Sequence, residues 1–254
     1  TVLNSITTAK KLQLILENYE RKPKLQTLLL NYIEPEKLNT IIQDATPEVL
    51  VFIFQSLKGS FKGRNMFLNA IKTPGGFKDF IDAARHDQEK KFMLRSIAYI
   101  IKDFDLLKSL LEILKGRPEQ QNIVLKSISK KITEFDQLKS LLEILKEQPK
   151  QQTMVFKYLR IENVDTIIIN AADLISILTI LKEQETLQKL VLEYLHPKNV
   201  DKMITNAKEL ESILKIIPKD PQYHSLVLGC INLDKLKGIL KKSGTKINYL
   251  TTLI

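Results

Sequence analysis

Apolar residues recur along this chain at helical spacing, in two alternating patterns. The first places them at offsets 0, 3, 4 and 7, one face of an α-helix. It reads Leu12/Ile15/Leu16/Tyr19, Leu50/Ile53/Phe54/Leu57, Phe77/Phe80/Ile81/Ala84 and Leu107/Leu110/Leu111/Leu114. It continues as Leu138/Leu141/Leu142/Leu145, Leu174/Ile177/Leu178/Leu181 and Leu210/Ile213/Leu214/Ile217. The second is a six-residue block: three apolar residues, one variable, one small or Tyr, one apolar. It occupies 28–33 (LLLNYI), 66–71 (MFLNAI), 92–97 (FMLRSI), 123–128 (IVLKSI), 154–159 (MVFKYL), 190–195 (LVLEYL) and 226–231 (LVLGCI). Its three adjacent apolar positions widen the hydrophobic face, which predicts burial on two sides. The two predicted helices are termed A and B.

Spacing carries the topology. The start of A precedes the start of B by one constant interval: Leu12 to Leu28, Leu50 to Met66, Leu107 to Ile123, Leu138 to Met154, Leu174 to Leu190 and Leu210 to Leu226. Only Phe77 and Phe92 stand one position closer, so A, turn and B form a fixed unit. Pro23, Pro118, Pro149 and Pro218 mark the turn and are expected to stop helix A. From the end of B to the next A the interval varies. It is long from Ile33 to Leu50, Leu159 to Leu174 and Leu195 to Leu210. It is shorter from Ile97 to Leu107 and Ile128 to Leu138, and shortest from Ile71 to Phe77. The long intervals predict a third short helix over 35–45, 164–172 and 197–207, and the short ones leave no room for it. At the end of the chain, Leu233, Leu236 and Leu240 lie on one helical face and begin a further half unit. The apolar segment 247–254 after them reads as a chain that continues or is trimmed there. A hairpin cannot bury its apolar faces alone, so hairpins must stack. The expectation is all-α: an α-solenoid of seven to eight stacked hairpins forming one elongated domain over 1–254.

Two segments, 104–115 and 135–146, are nearly identical and lie one repeat apart. The repeat length is close to that of tetratricopeptide arrays, but there is no Trp and no Gly-x-x-Tyr after the first turn. No Thr-Pro-Leu-His stands at a repeat start, as ankyrin would require. The three-helix units are nearer to armadillo or HEAT geometry, though shorter. With its LKSLLEILKEQP-like repeats, its Lys, Ile, Leu and Asn bias, few Gly and irregular period, the whole chain resembles helical-repeat effector proteins translocated by Legionella-type intracellular bacteria. That resemblance implies delivery into a host cell cytosol and binding of a host protein or modulation of another effector. It carries over no functional residue.

Composition narrows the function classes. The net charge is +10, from 39 Lys and Arg against 29 Asp and Glu, which favours an acidic partner. Only six of the 39 are Arg, the usual tool for phosphates and bases, which weakens a nucleic-acid reading. The single cysteine, Cys230, forbids an internal disulfide and fits a reducing cytoplasm. The most apolar run, 49–54, is far too short to span a membrane.

A catalytic constellation is not visible. His86, His196 and His224 stand at no metal-ligand spacing from one another or from a Cys, and read as turn or helix-end residues. Cys230 fills the small slot of a B block, aligned with Ala70, Ser96 and Ser127. Ser-x-x-Lys occurs at 127–130 and 212–215, as chance allows in a Lys-rich chain without the companion motifs. The 59–64 segment is a Gly-containing basic turn that lacks the ending of a phosphate loop, and 73–76 reads as a breaker between hairpins. The expectations are no enzyme, no cofactor, no metal and no small-molecule substrate.

Repeat proteins bind along the face lined by the second helix of each hairpin. The variable B position reads Asn31, Asn69, Arg95, Lys126, Lys157, Glu193 and Gly229, basic in the three central repeats. Residues 85–160 carry +6 of the net charge, against +3 before them and +1 after. The predicted binding surface is therefore a basic central groove of Lys91, Arg95, Lys126, Lys157, Arg160 and Lys189, with Tyr158 and Tyr194 beside it. Tyr32, Tyr158 and Tyr194 are read as aromatic anchors or as edge residues packed between hairpins. The leading function is a protein-binding scaffold or regulator that uses a concave surface against an acidic partner. The alternative is nucleic-acid binding through the same groove, with strong salt dependence.

Overall fold

The computed structural model describes residues 6–71, 73–159 and 161–243, and all regular structure among them is helical. The chain forms two compact units, Thr1–Lys131 and Ile132–Ile254, where the sequence reads as one domain. The first holds α1 (Ala9–Asn18), α2 (Pro23–Asn31), α3 (Pro35–Gln43), α4 (Pro47–Ser56), α5 (Phe61–Ala70), α6 (Pro74–Asp82), α7 (Asp87–Ile100), α8 (Phe104–Ile113) and α9 (Pro118–Ile128). A 3-10 turn over Ser129–Lys131 closes it. The second holds α10 (Phe135–Ile144), α11 (Pro149–Tyr158), α12 (Ile161–Ile167), α13 (Ala171–Ile180), α14 (Glu185–Tyr194), α15 (Pro197–Met203), α16 (Ala207–Ile216), α17 (Pro221–Leu228) and α18 (Leu233–Ser243).

Every A and B pattern lies on a helix for at least part of its length; the last residue of each A pattern falls just past the helix end, and the last B block, 226–231, outruns α17, which ends at Leu228. The A helices are α1, α4, α6, α8, α10, α13 and α16, and each is followed by its B partner. Within the first unit the A helices pack in chain order, α1 on α4 on α6 on α8, and the B helices do the same, α2 on α5 on α7 on α9. Within the second, α10 packs on α13, α13 on α16 and α14 on α17. From the second hairpin on, all four residues of each A pattern are buried. The aromatic centre of the first unit is Phe54, whose ring meets Phe67, Phe80 and Phe92 at centroid distances of 5.8, 5.3 and 5.5 Å.

The turn inside four of the hairpins is one repeated backbone shape. Helix A ends, and the residue before helix B adopts φ/ψ near (−126, 68) at Lys22, (−117, 70) at Arg117, (−128, 70) at Gln148 and (−130, 71) at Gln184. Its N–H donates to the carbonyl three residues back, at 2.8, 2.9, 2.7 and 2.8 Å. Pro23, Pro118 and Pro149 therefore occupy the first turn of helix B and start it, rather than stopping helix A. Proline fits there because the N–H it lacks has no intrahelical acceptor. Pro218 does end a helix, since Ile217 before it is extended (φ −71, ψ 155). The 73–76 breaker is likewise a start: Thr73 caps α6 and Pro74 is its first residue.

A buried glutamine joins the two helices of each regular hairpin. Gln26, Gln121, Gln152 and Gln188 are 0–1% exposed and stand two residues before their B block. Each Nε2 donates to a carbonyl ten residues back in the last turn of helix A: Leu16 at 3.3 Å, Leu111 at 3.3 Å, Leu142 at 2.9 Å and Leu178 at 2.9 Å. The last four carbonyls of a helix have no partner of their own. Gln188 also reaches the Ile216 carbonyl of α16 at 3.4 Å, tying one hairpin to the next. In the second hairpin Arg64 takes this slot and donates to the Leu57 and Lys58 carbonyls.

The predicted third helices are α3, α12 and α15, with α12 starting and ending before its predicted bounds. Asp165 on α12 accepts from the N–H of His196 at 2.9 Å, and Asp201 on α15 accepts from the N–H of Asn232 at 2.8 Å. Each carboxylate thus holds the backbone entering the helix that follows one repeat later. α18 keeps this register and packs on α16. Its buried residues are Leu236 and Ile239, while Leu233 is 55% exposed, which corrects the face expected from the sequence. Segment 247–254 lies outside the described residues. No helix among the described residues is long and apolar enough to cross a membrane.

Replacing Gln152 by Met keeps the volume and removes the donor. The Leu142 carbonyl then loses its partner, and so does Gln184, whose Nε2 donates to Gln152 Oε1. The expected loss is about 1–3 kcal/mol, seen as a lower urea midpoint at unchanged slope. An unchanged midpoint would show that the clamp contributes nothing net.

Candidate functional site

All seven residues of the variable B position are exposed. The predicted groove residues divide between the two units. Lys91, Arg95 and Lys126 belong to the first, and Lys157, Tyr158, Lys189 and Tyr194 to the second. Arg160 lies outside the described residues. Lys91 pairs with Glu119 of α9 at 3.0 Å, and Lys189 pairs with Glu193 one turn on at 3.8 Å, so both charges are partly answered within the chain. Lys126 and Lys157 are exposed, and the Lys157 ammonium stands 6.0 Å from the Tyr158 ring centroid. Tyr158 and Tyr194 are half-buried, whereas Tyr32 is 65% exposed and does not pack between hairpins.

Charge is concentrated more sharply than a division into thirds suggests. The first unit has 22 Lys and Arg against 14 Asp and Glu, a net of +8, and the second has 17 against 15, a net of +2. Five of the six Arg are in the first unit. Two of these are committed to structure. Arg117, before α9, forms a two-bond pair with Asp82 of α6, and Lys78 adds a contact at 3.1 Å. The Arg117 guanidinium is the main reason the Asp82 carboxyl sits below its usual range, opposed by partial burial. Arg64 is held by carbonyls and lies 5.5 Å from the Phe92 ring centroid; burial pushes its pKa down. Arg95 is exposed and makes none of the ion pairs among the described residues.

Arg95 stands beside two large exposed aromatics that sequence reasoning missed. Phe61, the first residue of α5, is 52% exposed, and Tyr99, in the last turn of α7, is 73% exposed. Their rings meet edge to face, with centroids 5.8 Å apart at 73°. This ridge lies between two clefts of the first unit. One, of about 920 Å³, is bounded by Asn65, Asn69, Ile71, Ile100 and Lys102. The other, of about 530 Å³, is bounded by Arg64, Phe92, Arg95 and Ser96.

Local sequence explains the position of the ridge. The interval between the B block of α5 and the next A pattern, Ile71 to Phe77, is the shortest in the chain, and no third helix follows α5. Helix α7 runs past its own B block to Ile100, and that extra turn carries Tyr99. Its end is held from below: Ser127 and Lys131 both donate to the Ala98 carbonyl, and Lys131 also donates to that of Ile101. Burial, with Lys102 nearby, pushes the Lys131 pKa down. The visible signals were Phe61, at the start of α5 ahead of its B block, and Tyr99, just past the B block of α7; the contact between them was not visible.

Of the histidines, His86 and His196 stand at helix N-termini, whereas His224 is inside α17 in the slot that Gln fills elsewhere. The Cys230 thiol donates to the Leu226 carbonyl at 3.0 Å, and burial pushes its pKa up, away from the thiolate. Comparison with protein-family models, with curated proteins and with solved structures finds no match. The arrangement itself is therefore the guide. Exposed aromatics and Arg are residue types enriched among interface hot spots.

The pair at Asp82 fixes a pH dependence. A carboxyl held below its unfolded-state range stabilises the fold above that range, and the stabilisation is lost as pH falls through the folded-state value. The melting temperature of the wild type is expected to fall more steeply than that of Asp82→Asn between neutral pH and about pH 3. Parallel curves would remove the pair from the stability of the first unit.

Proposed function

We propose that the chain is a protein-binding scaffold, and that the face of the first unit bearing Phe61, Tyr99 and Arg95 is a docking surface for an acidic partner. The observation that carries this reading is the solvent-exposed, mutually packed Phe61–Tyr99 pair in the unit that holds +8 of the net charge. Rigid aromatic and Arg side chains contribute most where interfaces have hot spots. Contiguous apolar surface left exposed beside polar groups is characteristic of interaction sites. Lys126 and Lys157 extend the same type of surface on their own units and would add long-range attraction for an acidic partner.

The test is retention of a nuclease-treated partner by the purified chain and by two variants. Tyr99→Ala and Arg95→Glu are each expected to weaken the retained complex by about tenfold or more. Both positions are exposed, so their melting temperatures should match the wild type within about 0.5 kcal/mol of stability. Equal retention by wild type and both variants would exclude this face. Loss of all specific material on nuclease treatment would favour nucleic acid, and a linear fall of log affinity with log salt would follow.

A further inference from the structure

We infer that the outer face of the first hairpin, α1 with α2, is a second docking surface, which takes a helix pair of a partner protein and sets two carboxylates of that partner against Lys22 and Lys24. It shares no residue with the Phe61–Tyr99 ridge. The repeat itself identifies which side of a hairpin meets its predecessor. In α17, Tyr223 and Val227 are 8% and 1% exposed, although no B helix follows among the described residues and α14 before it is its B neighbour. Tyr223 stands three residues before the B block, and Val227 is the second residue of the block. Both positions therefore face backwards along the stack. Leu228, the third residue of the block, is half-buried there and buried in every other B helix, so it faces forwards.

In α2 the backward face is open. Leu25, the counterpart of Tyr223, is 41% exposed. Leu29 is half-buried where every later counterpart is buried. Leu28 and Tyr32 continue this face at helical spacing and are 48% and 65% exposed. On α1, Ile15 and Tyr19 are half-buried where every later counterpart is buried. The forward side is closed as elsewhere, with Leu12, Leu16 and Leu30 at 0–1%. The shape of the open face selects its occupant. In the same register α1 covers α4, α2 covers α5, α4 covers α6 and α5 covers α7. A helix pair lying on α1 and α2 extends an interface that the first unit already repeats.

Charge selects what that pair carries. The residue just before helix B reaches back across the interface: Ser60 bonds Thr27 of α2, Arg117 pairs with Asp82 of α6, and Gln184 donates to Gln152 of α11. Two residues further on, Glu119 pairs with Lys91 of α7 at 3.0 Å. The first hairpin has Lys22 in the place of Arg117 and Lys24 in the place of Glu119. Both are exposed and make none of the ion pairs among the described residues. Arg21 lies between Glu20 and Lys22, and Glu20 is the one carboxylate in the turn 20–24. Glu17 stands in the register of Asp82, which faces the following hairpin, and accepts from Gln13 at 3.2 Å. The complement of Lys22 and Lys24 is a pair of carboxylates on the docked helices. A second copy of this chain stacked head to tail does not supply them. Its last hairpin has Lys215 in the place of Asp82 and Ser225 in the place of Lys91.

The probe is a synthetic α6–α7 segment, Thr73–Ile100, stapled within each helix, labelled with fluorescein and carrying Lys91→Glu. It is titrated by anisotropy against the full chain. Leu25→Ser with Leu28→Ser in the chain is expected to weaken binding about tenfold or more. Lys22→Glu should weaken it by a similar factor, and Asp82→Lys in the probe should restore binding to that variant. Tyr99→Ala should bind the probe as the wild type does, which separates this face from the ridge. Absence of binding, binding indifferent to the two leucines, or no rescue by the exchanged charges overturns the inference. So does an equal loss with Tyr99→Ala, which would place the probe on the ridge. Sedimentation of the chain as a dimer that Leu25→Ser converts to a monomer also overturns it, since the occupant would then be a second copy.

Discussion

The repeat depends on how a helix that ends inside a protein disposes of its last carbonyls. Helix A of each hairpin stops shortly before helix B begins; the turn itself is exposed, but in four hairpins the leucine whose carbonyl faces helix B is fully buried. A carbonyl left open against the buried face costs about 1–3 kcal/mol, comparable to the burial of one leucine. Four hairpins solve this in the same way, with a glutamine two residues ahead of the B block donating back to Leu16, Leu111, Leu142 or Leu178. The bond closes only if helix A ends at a fixed distance before helix B begins. This is a physical reason for the constant interval between the two patterns. The turn residue before helix B, with nearly the same φ/ψ in each case, is the backbone counterpart of that clamp.

Departures from the clamp coincide with departures in the surface. The second hairpin has Arg64 in place of glutamine. Its guanidinium needs more room, and the Phe92 ring lies over it. The third hairpin has Lys90 in the slot, follows without a third helix, and has the longest B helix of the described chain. These two irregular hairpins bring Phe61 and Tyr99 together. The regular hairpins of the second unit instead use the extra length between repeats for α12 and α15. The carboxylates of those helices cap the backbone one repeat later.

Electrostatics follows the same division. Most of the net charge lies in the first unit, but its individual cations are not equivalent. Arg117 is held by Asp82, Lys91 by Glu119, and Lys131 by the carbonyls that end α7. A count of basic residues treats these alike. The structure separates those that fasten one helix to another from Arg95, which faces solvent beside an aromatic pair.

The sequence by itself determined the helices, their pairing into hairpins, the exposed column that includes Arg95 and Lys126, and the places where a third helix fits. Each of these follows from periodicity and from intervals along the chain, which are local properties. The clamp was legible in principle, since Gln26, Gln121, Gln152 and Gln188 share one offset. Their burial was not, because glutamine is ordinarily a surface residue. Tertiary structure alone decided that Leu236 and Ile239, not Leu233, face inward on α18. It also decided that Lys91 is paired and that Phe61 meets Tyr99. Those contacts join residues on different helices. Their distances are set by how α5 crosses α7 and how α7 is held by α9, and a repeat pattern fixes which face of a helix is buried but not which neighbour it meets.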